Sequence, residues 1–224
     1  MRIGLSDLFL APITTTTEGV EVFGEPFRAV QKNKGLIQAD LSSNVAEAVL
    51  YADDGVAARV KEFSSGTLTI QLADISTARR AQILGEEQDE DGVNYSSGGD
   101  IAPYFAAGFR SRRADGTYRY LWFYKVMFSI PTENHATKGS TITFQTPTIV
   151  GSIEKRTDGK WKADWTGEPS DPVAVGWFKK VREPRNDTPG GDTSPGGLNI
   201  NGQGIAAGLS INGQIQPLNM KIGG

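Results

Sequence analysis

The side chains most able to do chemistry are few and far apart. His135 is the only histidine, placed in a Thr/Asn/Lys segment, so a nucleophile and base pair built on imidazole has one possible member. That setting reads as a solvated loop histidine. Glu86, Glu87, Asp89, Glu90 and Asp91 offer carboxylate oxygens of the kind that hold calcium, yet they lack the alternating ligand spacing of an EF-hand loop. A solvated, anion-repelling face is the better reading of that stretch. Gly98-Gly99 and Gly190-Gly191 are not followed by the Lys-Ser/Thr that completes a phosphate loop. No catalytic, cofactor-binding or metal-binding residue is therefore assigned, and no cofactor is expected.

Tyr118, Tyr120, Trp122 and Tyr124 alternate along one stretch and could form a stacking platform for single-stranded nucleic acid or sugar. No basic residue shares their alternate positions, so they read as core or subunit-interface packing, and they are the candidate subunit-interface residues. Formal net charge is −3, and Arg110, Arg112 and Arg113 form a small cluster. Gripping a phosphate backbone needs many clustered cations, so nucleic-acid binding is not expected. With no cysteine, neither disulfides nor thiolate metal sites contribute. Residues 1–11 are broken by Asp7 and are not read as a signal peptide, and no apolar run approaches the roughly 20 residues of a membrane-spanning helix.

The elements that would carry these residues are mostly strands. Apolar residues make up 38% of the chain and charged ones 22%, which is a globular balance. Val20–Phe23, Leu36–Leu41, Ala46–Tyr51, Ala57–Phe63 and Thr67–Leu72 alternate with period two. Asp53-Asp54-Gly55 reads as the turn of a long hairpin, and Ser64-Ser65-Gly66 as a second turn. Asp74 is positioned to cap a helix running to Gly85. Val93–Tyr95 is a brief strand in the acidic loop. Ala102–Arg112 and Tyr118–Ile130 form a hairpin around Ala114–Thr117, and the second run is apolar on both faces, so it belongs mid-sheet or between subunits. Ser140–Lys155 is a further strand in which Pro147 implies an edge or a bulge. Lys160–Trp165 is another strand, and a helix starts at Asp171-Pro172-Val173 and reaches Arg182. The fold class is mainly β, with one or two short flanking helices and a C-terminal tail. The domains are 1–183, a flexible linker 184–197 rich in Pro, Gly, Asp and Thr, and an extension 198–224 in which Leu198–Gln203 and Leu209–Gln214 repeat an Asn-Gly hairpin signal.

Several of these segments, taken in order, resemble the major tail protein family of long non-contractile bacteriophage tails. The opening Arg2–Ile13 looks like that family's N-terminal segment. Ile37–Leu41, Leu50–Asp54, Gly66–Ile70, Ile83–Gly85, Pro103–Phe109, Tyr124–Val126 and Gly159–Trp161 follow in the expected sequence. The resemblance covers about residues 1–182, and the Asn-Gly repeat departs from it. It implies a β-sandwich or incomplete barrel that assembles as homo-hexameric rings, stacked into a hollow virion tube through which DNA passes without specific binding. Tape-measure and other tail proteins would be partners, and the subunit would be made in the host cytoplasm. Ser42, Ser43, Asn44, Asp53 and Asp54, at the base and tip of the Leu41–Lys61 hairpin, are the candidate inter-ring contacts. A carbohydrate-binding β-sandwich with exposed aromatics, or a tail terminator or connector forming one closed ring, are the competing readings.

Overall fold

The structure is a computed structural model and describes residues 1–30, 35–132, 137, 144–184, 209–211 and 214–216. Its elements run β1 (Arg2–Thr15), β2 (Glu21–Phe23), β3 (Phe27–Arg28), β4 (Leu36–Ala52), β5 (Gly55–Leu72), α1 (Thr77–Leu84), β6 (Glu87–Gln88), β7 (Asn94–Tyr95), β8 (Tyr104–Arg113), β9 (Tyr118–Phe128), β10 (Thr148–Glu154), β11 (Lys162–Gly167), α2 (Pro172–Gly176), β12 (Leu209–Ile211) and β13 (Gln214–Gln216). The chain divides into two compact units, Met1–Glu183 and Pro184–Gly224. The first is mainly β. In the second, β12 and β13 pair antiparallel from Leu209–Gln216 to Ile211–Gln214, and Asn212-Gly213 joins them in sequence.

One antiparallel sheet dominates the first unit, in the order β2-β1-β8-β9-β10-β5-β4, with β3 on β1 and β11 on β9. It curls until β4 comes within 8 Å of β1, Cα to Cα, without hydrogen bonding to it, so the barrel is incomplete. The concave side is filled by Leu8, Leu10, Leu68, Ile70, Phe105, Phe123, Phe128 and Ile149, all essentially inaccessible, with Ile83 and Leu84 of α1 packed against them. Alternation sends the neighbours of these residues to the other face. There Tyr120, Trp122 and Tyr124 of β9 pack with Ala11 and Ala106 beneath Ala174, Trp177 and Val181.

Three expectations need correction, and one strand goes beyond them: residues 2–15, which alternation does not mark as an element, form β1, which pairs with β8 from Arg2–Arg113 to Pro12–Phe105. Asp7, which breaks the apolar pattern, sits at a register shift with φ +64° and turns its carboxylate to Arg28 and Arg110 (Nε–Oδ2 2.6 Å). Ser64-Ser65-Gly66 is not a turn. β5 continues through it, and a register shift lets Asn44 pair with Ser65 and Val45 with Phe63. The cap of α1 is Ser76, whose Oγ accepts from Arg79 N, while Asp74 accepts from Ile75 N. Gly85 closes α1 at φ +73°, where a Cβ would lie 2.4 Å from the Ile101 carbonyl oxygen. Pro147 lies one residue before β10, and β10 is an interior strand paired with both β5 and β9. Because the proline stands outside the ladder, no donor is missing, and its carbonyl accepts from Leu72 N at 2.9 Å. His135 and the Ser140–Thr143 part of that expected strand lie outside the described residues, as do Gly190-Gly191, the 185–197 part of the linker and the first copy of the repeat.

Candidate assembly surfaces

The β4–β5 hairpin is far longer than the sheet it belongs to. β10 pairs with β5 only from Thr148–Gln71 to Ile153–Gly66, whereas β4 and β5 pair onward to Ala52–Gly55. From Asn44 to Phe63 the ribbon therefore has both edges unpaired among the described residues, and nearly every residue along it is exposed. At about 3.3 Å per residue it projects roughly 30 Å.

Cross-strand pairs place its residues on two unlike faces. Glu47 sits opposite Lys61 and bonds both Lys61 (3.2 Å) and Arg59 (3.2 Å). The other face carries Ala46, Ala48, Leu50, Ala58 and Val60, with Leu50 63% and Val60 62% exposed. An isolated two-stranded ribbon is marginal in water, and one that shows an apolar face and two open edges is a template for association.

At the tip, Asp53 (φ +50°) and Asp54 (φ +60°) both occupy the left-handed region, as a two-residue I′ hairpin requires. Aspartate tolerates that region through local hydrogen bonding by its short polar side chain. Ser42, Ser43 and Asn44 lie at the other end of the ribbon, where Asn44 Nδ2 donates to Ser65 Oγ at 3.2 Å. The expected inter-ring residues are thus all exposed and all on this arm, but base and tip are separated by most of its length. Two contacts fix the base: Phe63 stacks on Trp161 at 4.0 Å between centroids, and Lys155 Nζ bonds Glu62.

The expected subunit-interface aromatics lie elsewhere. Tyr120, Trp122 and Tyr124 are buried within the chain, because the segment after α2 covers them. Asp171 caps α2 by accepting from Val173 N, Pro172 starts it, and after Gly176 the chain continues as turns, so the helix is shorter than the stripe to Arg182 suggests. Trp122 Nε1 donates to the Trp177 carbonyl at 3.0 Å, Tyr124 OH donates to the Arg182 carbonyl at 2.6 Å, and Phe178 stacks on Phe9 at 4.7 Å. Burial pushes the Tyr124 hydroxyl above the usual tyrosine range, against the pull of the nearby Arg156. Tyr118 alone of the four stays half-exposed, under the Arg110 guanidinium. The intramolecular cover was legible only in part: Trp177 and Val181 stood out as an apolar stripe, but nothing in the sequence says which strand they meet.

Charges inside the domain are paired. Glu21 is buried and meets Lys125 (3.0 Å) and Arg156 (3.5 Å), joining β2 to β9 and to the turn after β10. Asp164 is pushed up by burial, but Lys162 (3.2 Å) and Arg119 (2.8 Å) outweigh that and hold it below the usual aspartate range. In the acidic loop, Asp89 accepts from Val93 N at 2.8 Å and Tyr95 OH at 3.1 Å, and Glu86 is held by Arg80. Among the described residues no group of three or more His, Asp or Glu side chains is placed to hold a metal ion, and no helix is long and apolar enough to cross a membrane. No family model matches the chain, and no curated protein matches it.

Proposed function

We propose that this protein is a structural subunit that builds the tube of a bacteriophage tail, as hexameric rings stacked into a hollow conduit for DNA. The observation that carries the reading is the β4–β5 arm. It presents an apolar strip and unpaired backbone on both edges, which a lone subunit leaves in water and which a neighbouring copy would cover. The ordered likeness of residues 1–182 to tail-tube subunits supplies the kind of assembly. An acidic chain with few clustered cations suits a conduit that DNA must slide through. The carbohydrate-binding alternative loses its platform, since three of its four aromatics are buried.

Negative-stain electron microscopy of the full chain over a concentration series, with sedimentation velocity alongside, tests this. Hollow tubes with sixfold end views are the expected result. Single closed rings at every concentration would transfer the role to a terminator or connector, and a persistent monomer would refute assembly altogether.

A further inference from the structure

The register relations fix which loops share an end of the β domain. β5 and β9 each run antiparallel to β10, so they run the same way, and the arm tip lies at the same end as the Ala114–Thr117 turn. At that end β1, β8 and β9 bring together Arg2, Arg112, Arg113 and Arg119. Arg113 is bonded to Asp115 and Arg119 to Asp164, whereas Arg2 and Arg112 are exposed and have no carboxylate partner among the described residues. Among the described residues Glu168, just beyond β11, and Asp53 and Asp54, which the arm carries past this end, are exposed acids on this side with no cation bonded to them.

The far end of β9 is opposite in sign. Leu84, Glu86, Asp100, Phe128 and Ile130 line a single cleft there, which places the β6–β7 hairpin beside the end of β9. Glu87, Glu90 and Asp91 on that hairpin are exposed and bonded to no cation among the described residues. Both ends also show uncovered apolar side chains: Ile3 beside the arginines, and Tyr95, Ile101 and Ile130 (the last two 81% and 79% exposed) beside the acids. Strand β9 separates the two ends by about 30 Å at 3.3 to 3.4 Å per residue. At physiological salt this is several screening lengths, so the two patches act as independent surfaces.

We propose that these ends are complementary docking surfaces for second copies of this chain. The Arg2/Arg112 end of one subunit seats on the Glu87/Glu90/Asp91 end of the next, so that subunits join head to tail along the strand axis. This rests on the assembly reading above and gives it a direction. A contact between two different patches of the same molecule repeats from copy to copy, closing into a ring where its rotation closes and propagating where it runs along an axis, whereas a two-fold pairing of like patches stops at a dimer. Like-charged ends repel, so the wrong orientation is disfavoured.

Charge exchange tests it on the full chain. The variant Arg2→Glu/Arg112→Glu has two acidic ends, and Glu87→Arg/Glu90→Arg/Asp91→Arg has two basic ones. Each alone should need at least about tenfold more protein to assemble than the unaltered chain, because like-charge contact costs more than the roughly 1.4 kcal/mol that a tenfold change represents. An equimolar mixture of the two should assemble at close to the unaltered concentration. The unaltered chain should itself assemble less readily between about 0.01 and 1 M salt, as the screening length falls from about 30 to 3 Å. Variants that assemble unchanged, or a mixture no better than its parts, overturn the charge pairing while leaving the tube standing. An unaltered chain that never assembles overturns both.

Discussion

Replacing Leu50 with serine separates the stability of the subunit from that of the assembly. Leu50 is 63% exposed on the uncovered face of the arm, opposite Ala58 and next to Val60. In the free subunit the change removes a side chain that already sits mostly in water, so the unfolding temperature of dilute protein should stay within the effect of about 0.5 kcal/mol that is usual for a surface substitution. Full burial of a leucine is worth about 1.5–3 kcal/mol, and close to two thirds of that is still to be gained when a neighbour covers the strip, or about 1–2 kcal/mol per arm. The concentration needed for assembly should rise by roughly five- to thirtyfold. Sedimentation velocity over a concentration series reads the assembly, and thermal circular dichroism at a concentration well below it reads the fold. A Leu50→Ser protein that unfolds many degrees lower would mean that the strip is covered within the monomer. One that assembles at the unaltered concentration would mean that no neighbour touches this face. Either result refutes the reasoning.

Other substitutions probe the interior. Trp122→Ala should cost about 3–5 kcal/mol, since it empties a fully buried site and strands the Trp177 carbonyl; thermal unfolding and faster protease cleavage near residues 177–182 would report it. Gly108→Ala places a Cβ 2.6 Å from the Trp122 ring and should destabilise by about 1–3 kcal/mol through overpacking, measured by urea unfolding. Asp7→Asn keeps a residue that accepts positive φ but leaves Arg28 and Arg110 without their carboxylate, so it should lose about 3–5 kcal/mol, and Asp7→Ala should lose more because the backbone is strained as well. Tyr124 has a raised pKa in the fold, so its contribution is complete below the ordinary tyrosine pKa and is lost as pH climbs through the raised value. Alkaline titration should therefore show a loss of stability above about pH 10 that is smaller in Tyr124→Phe, where only the raised Tyr104 still contributes of the two, read by melting temperature against pH.

Some of this architecture is written plainly in the residues. β9 shows its place through two interleaved apolar sets, Tyr120/Trp122/Tyr124 and Leu121/Phe123, and only a strand covered on both sides carries such a pair. Gly85 and Asp53-Asp54 mark a helix end and a hairpin tip because backbone angles there restrict residue choice. β1 was obscured by one aspartate: Asp7 breaks the alternation for a long-range reason, the guanidinium groups of Arg28 and Arg110, which no local window contains. Ser64-Ser65-Gly66 carries turn chemistry, yet its partner Asn44 holds the strand straight across it through pairing that only the folded register provides. The assembly surfaces were half legible. Alternation marks Leu50 and Val60 as a face, but that the face meets nothing inside the chain depends on where β10 stops.

The fork along β9 has a mechanical consequence. One edge of β9 is shared by β10, beside Lys125–Phe128, and β11, beside Tyr118–Phe123. A pull on the arm enters β5, crosses to β10 and reaches the β9 ladder through its C-terminal part, while the Phe63–Trp161 stack gives a second route, through side chains, to the start of β11. The aromatic cluster with Trp122 and Trp177 is fastened to the other part, through a ladder that the arm does not join. The transmitting hydrogen bonds lie across the strands and share a lengthwise load in shear. The hydrogen-bonded route for tension on the arm thus runs beside the Trp122–Trp177 packing, not through it, and only the Phe63–Trp161 ring contact leads toward that side.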